Sequence, residues 1–66
     1  MSRAFCKWLQ RESSGDAKIA ALALYQILTS NPSGDNEVWN LLEATGDKNY
    51  TAETFEKAAK VALEVA

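Results

Sequence analysis

The chain has 66 residues, seven basic and nine acidic side chains for a formal charge of −2, one cysteine and no histidine. A chain this short buries only about 60% of its unfolded surface, which excludes a second core and therefore a second domain. Cys6 has no cysteine to pair with, so an internal disulfide is excluded, and the missing histidine removes the commonest metal ligand and the usual general base.

The first helix is expected over about residues 3–12, with Ser2 as its cap. At roughly 100° per residue, Ala4, Phe5, Trp8 and Leu9 share one arc, and Arg3, Lys7 and Arg11 occupy another. The pattern predicts Phe5 and Trp8 in the core and the three cations in solvent. Glu12-Ser13-Ser14-Gly15 breaks it, and Asp16 is placed to cap a second helix over about 17–29, stopped by Asn31-Pro32-Ser33-Gly34. Ala17, Ala20, Leu24, Ile27 and Leu28 form its inner face, flanked by Ala21 and Ala23. Ile19 and Leu22 lie on the other side. A central helix covered on more than one side explains them best, and burial is expected; left uncovered, they become a partner surface or the seam of a homodimer.

A third helix, about 36–45, is signalled by Asp35 as cap, by Val38, Leu41, Leu42 and Thr45 at helical spacing, and by Gly46 as its left-handed end. Trp39 falls at the margin of the apolar face, where its ring can roof the core while its N–H meets water, or can anchor a partner. The fourth helix, about 52–65, is capped by Thr51, with Tyr50 expected to pack on Phe55 as a hydrophobic staple. Phe55, Ala58, Ala59, Ala62 and Ala66 form a small-residue stripe. Glu53–Lys57 and Glu56–Lys60 stand opposite in the favourable order for i, i+4 pairing. The elements together predict an all-α, single-domain fold.

Enzymatic chemistry finds little to use. Without histidine, no pair of acids is gathered by local helix geometry, and Glu53 and Glu56 share their face with lysines, as solvated surfaces do. Cys6 lacks a base partner and reads as a small packed side chain. Gly15, Gly34 and Gly46 stand singly at helix boundaries, so no phosphate-cradling loop exists, and the one Asp-x-Asn fragment, Asp47-Lys48-Asn49, lacks the acidic series of a calcium site. No cofactor or metal is expected. No apolar run has the length of a signal peptide or membrane span. A soluble, unprocessed cytoplasmic protein without membrane attachment is expected, with Asn49-Tyr50-Thr51 a chance glycosylation sequon.

Phe5-x-x-Trp8-Leu9 near the start, Asn31-Pro32 after the second helix, Asp35 before the third and Thr54-Phe55-x-x-Ala58 in the fourth resemble the YozE-like small bacterial proteins. That resemblance implies a compact four-helix orthogonal bundle similar to sterile-alpha-motif (SAM-like) domains, and it carries over no catalytic residues.

Function is therefore expected on surfaces. Arg3, Lys7 and Arg11 follow at i, i+4 and i+8 with no acid between them, and Arg3 opposes the helix dipole at a cost of roughly 0.3–1 kcal/mol. The expected function is a non-enzymatic interaction module that binds a protein partner through a helix surface, with Arg3, Lys7, Arg11 and Trp39 as contacts. One alternative places the same cations on nucleic-acid phosphates, although a pI near 4.9 excludes binding by bulk charge. Another is a small phage-type inhibitor or mimic that presents Asp35, Glu37, Glu43 and Asp47 to a basic groove. A monomer or weak homodimer fits all three.

Overall fold

The computed structural model describes residues 2–34 and 36–66 and shows an all-α four-helix bundle. The helices are α1 (Arg3–Ser13), α2 (Ala17–Ser30), α3 (Glu37–Thr45) and α4 (Ala52–Val65), each end within one residue of its expected place. Local chemistry accounts for the boundaries. Ser2 Oγ accepts from the Phe5 amide at 3.2 Å, and Asp16 Oδ1 accepts from the Lys18 and Ile19 amides at 2.9 and 3.4 Å. At α4, Thr51 and Thr54 form a reciprocal capping box. α1 closes through Ser14 and Gly15, both left-handed, with the Gly15 amide donating to Gln10 O at 3.1 Å.

The cap of α3 differs from expectation. Asn36 takes that position, its Oδ1 accepting from the Val38 and Trp39 amides at 2.9 and 3.3 Å, while the expected cap, Asp35, lies outside the described residues. An amide has an advantage here that a carboxylate lacks. Asn36 Nδ2 also donates to Asn31 O at 2.6 Å and so ties the start of α3 to the end of α2.

The core sits around α4. This helix packs against α1, α2 and α3, whereas α2 and α3 meet only slightly. Ala58, Ala59 and Ala62 are wholly buried, with Phe55 nearly so, and side chains this small let three neighbouring backbones approach one helix. Leu9 and Cys6 come in from α1, Ala20 and Leu24 from α2, and Val38, Leu41 and Leu42 from α3. The expectation that α2 would be the covered central helix is thereby corrected. α4 takes that place, and the far side of α2 faces solvent, with Ile19 49% and Leu22 63% exposed.

The inward face of α1 is corrected as well. Cys6, Leu9 and Ser13 are its buried residues, Phe5 is half-buried against the core, and Trp8 is 36% exposed. The helix is turned roughly a quarter turn from the face that the aromatics suggest. Ser13 reads as polar in sequence, yet its hydroxyl donates to Leu9 O at 2.7 Å and so enters the interior satisfied. Together with Cys6 it lets α1 lie close to its neighbours, and Trp8 is displaced to the rim, its ring 5.7 Å from that of Phe5.

Because the alanine face sets these separations, Ala59→Leu is expected to lower stability by about 1–3 kcal/mol through overpacking. Urea denaturation measures it; an unchanged midpoint would show that α4 is not closely packed.

Candidate protein-interaction surface

Ile19, Leu22 and Tyr25 lie one turn apart along the outer side of α2 and form a ridge, with Tyr25 55% exposed. Their position follows from that of Ala20 and Leu24, which point into the core from the same helix. A groove flanks the ridge on each side. The first, about 390 Å³, runs between α2 and the start of α4, with Ala21, Leu22 and Tyr25 facing Tyr50, Ala52 and Phe55. Lys18 stands on its α2 wall and Glu56 on its α4 wall. The second, about 620 Å³, runs between α1 and α2 and is lined by Trp8, Glu12, Ile19, Leu22 and Ile27 among others. Leu22 belongs to both.

The aromatic rings that shape the first groove pair differently from the expected staple. Tyr50 takes a left-handed backbone with φ 53°, uncommon for a bulky residue, and its ring stands edge-on to Trp39 with centroids 6.0 Å apart. Phe55 instead meets Tyr25, with centroids 5.6 Å apart and an interplanar angle of 79°. Tyr50 thus closes one end of the groove, and Phe55 forms its floor.

Of the sequence-derived site residues, the three cations share one helix, α1, and Trp39 stands on another, α3. Arg3, Lys7 and Arg11 all lie exposed on α1, and among the described residues none forms an ion pair. Trp39 is half-buried on α3, packs against the core, and lines neither groove. Its N–H does not meet water as expected: Nε1 is buried and, among the described residues, finds no acceptor. Trp8, expected in the core, and Tyr25, not singled out at all, are the aromatic residues that the α2 surface does use. The i, i+3, i+6 spacing of Ile19, Leu22 and Tyr25, opposite Leu24, was the available signal.

The acids divide between structural and free roles. Asp47 Oδ1 accepts from the Asn49 amide at 3.0 Å, and Oδ2 accepts from Thr54 Oγ1 at 2.9 Å with Lys57 Nζ at 3.8 Å. The Asn49 amide first, then the Thr54 hydroxyl and, more weakly, Lys57 hold its carboxyl below the ordinary aspartate value. Glu37 Oε2 accepts from the Ser2 amide at 3.0 Å. Two of the four acids of the expected mimic surface are therefore engaged within the chain, Asp35 lies outside the described residues, and Glu43 is exposed. Glu53 pairs with Lys57 at 3.8 Å as expected, but Glu56–Lys60 is not among the ion pairs of the described residues, and Glu56 faces the groove instead.

Cys6 is wholly buried, and burial together with the nearby Glu37 carboxylate pushes its thiol above the ordinary value. No helix is long and apolar enough to cross a membrane, and among the described residues no three metal-ligating side chains converge. No family model, curated protein or solved structure matches the chain.

Thr54→Val keeps the shape of a buried side chain but removes the hydroxyl that serves both Asp47 and the capping box. It is expected to destabilise by about 0.5–2 kcal/mol at neutral pH. An aspartate held below its ordinary value contributes stability above the unfolded value, about 3.9, that is lost as pH falls through the folded one. The gap between wild type and Thr54→Val should therefore narrow below about pH 4. Denaturation curves at pH 7 and pH 3 test this, and a gap of constant size would show that the hydroxyl does not act through the ionised carboxylate.

Proposed function

We propose that this chain is a non-enzymatic protein-interaction module that docks through the outer face of α2. The observation that carries the reading is the Ile19–Leu22–Tyr25 ridge, large apolar side chains on successive turns, 49–63% exposed and bordered by a groove on each side. Burying such a side chain fully is worth about 1.5–3 kcal/mol, and a chain of this size has little stability to forgo. Scattered apolar residues on a surface need no explanation, whereas a contiguous set beside apolar grooves has the character of an interface core. The basic stripe of α1 supports the same reading in a secondary role: it runs on the helix that forms the far wall of the second groove, where cations steer an acidic partner toward the apolar surface.

Leu22→Glu tests this, because a residue 63% exposed is replaced at little cost to folding. In affinity capture from the lysate of the source cell, wild type and the Arg3→Glu/Lys7→Glu/Arg11→Glu triple variant are expected to retain a protein partner that Leu22→Glu loses. For a purified partner the expected loss of affinity is at least about tenfold. A partner kept by Leu22→Glu and lost only by the triple variant would move the site to α1.

A second reading, nucleic-acid binding, is favoured by the three cations on one side of α1, which form no ion pair among the described residues. Three phosphate contacts give a log–log salt slope no steeper than about −3, a weak hold for a chain of net charge −2. Titration against duplex and single-stranded DNA at two salt concentrations is expected to show no salt-dependent complex that the triple variant abolishes. Such a complex would make this the better reading.

A further inference from the structure

We infer that the groove between α2 and α4 receives a second copy of this chain, in a two-fold dimer where the Leu22–Tyr25 ridge of each copy lies in the groove of the other. The inference rests on the docking role proposed for the α2 face and names its occupant.

The groove has two unlike walls. The α2 wall carries the ridge and the cation Lys18, and the α4 side carries the aromatic floor, Phe55, and the anion Glu56. A two-fold axis running along the groove exchanges its walls. The ridge of one copy then faces the floor of the other, and Lys18 faces the partner's Glu56, twice over by symmetry. Both contacts are self-complementary, as an isologous interface requires. Neither charge is engaged elsewhere: among the described residues, Lys18 and Glu56 form no ion pair within the chain. A partner whose docking strip carries one sign of charge would meet a like charge on one of the two walls. A second copy meets none.

Size and charge agree with a weak dimer. A standard interface takes about 800 Å² from each partner, about one-fifth of the 4128 Å² that this chain exposes. The Ile19–Leu22–Tyr25 ridge and the exposed Tyr50 supply its apolar centre. The net charge of −2 per copy repels little across an interface screened at physiological salt.

Sedimentation equilibrium of the full chain over about 10 µM to 1 mM reads the association directly. Wild type is expected to pass from monomer to dimer across that range, and Leu22→Glu to remain monomeric. Lys18→Glu and Glu56→Lys alone each place two like charges face to face across the axis and should weaken association about tenfold. An equimolar mixture of these two single variants restores both opposite-charge contacts in a mixed dimer, and the double variant Lys18→Glu/Glu56→Lys restores them in its own dimer; both should return to within about threefold of wild type. Circular dichroism of each variant establishes that it is folded. A wild type that stays monomeric throughout, or a mixture no better than its components, overturns the dimer. If Leu22→Glu still abolishes capture in that case, the α2 face stands as a docking surface for a different protein. A dimer indifferent to Leu22→Glu overturns the dimer geometry, and the docking face is then judged by the capture experiment alone.

Discussion

The approach of three helices to the alanine face of α4 spaces the whole bundle. Ala58, Ala59 and Ala62 are wholly buried, and because each carries one methyl group, α1, α2 and α3 reach the same helix together. The larger side chains, Leu9, Leu24, Leu41 and Leu42, fill the space left between the backbones. α4 looks modest by hydropathy, but its small side chains let it serve as the axis of the core, which a leucine-rich helix would hold at a greater distance.

The exposed face of α2 follows from that constraint. With α4 at the centre, α2 contributes Ala20 and Leu24 to the interior, and α1, α3 and α4 leave Ile19, Leu22 and Tyr25 uncovered. The flanking grooves lie between α2 and its two neighbours, one lined by Tyr50 and Phe55 and the other by Trp8. A single arrangement thus accounts for the packing of the core and for the apolar surface left on α2.

The charges sort themselves by the same geometry. Asp47, Thr54 and Lys57 hold the loop between α3 and α4, with Thr54 as a buried polar side chain whose hydroxyl is engaged with both Asp47 and Thr51. Glu37 fastens the start of α1 to α3. Among the described residues, Arg3, Lys7 and Arg11 on α1 and Lys18 and Glu56 on the walls of the groove are among the charges left without such work. An acidic chain can therefore present a cationic strip, because several of its acids are turned to internal hydrogen bonds or to neighbouring lysines.

Local chemistry alone determined the four helices and nearly all their ends: capping by Ser2, Asp16 and Thr51, the stops at Gly15 and Gly46, and helical periodicity are short-range effects legible in a linear chain. The burial of Leu24, Leu41 and Leu42 and the exposure of Arg3, Lys7 and Arg11 were legible for the same reason. Which helix stands at the centre was decided only by tertiary packing, since it depends on how closely backbones approach, and hydrophobic patterning weighs a tryptophan above an alanine when closeness demands the reverse. For that reason Trp8 moved to the rim while Cys6 and Ser13 entered the core, Tyr50 turned to Trp39 instead of Phe55, and Ile19 and Leu22 were left facing water. The exposed apolar face of α2 exists because a helix with two apolar sides found neighbours for only one.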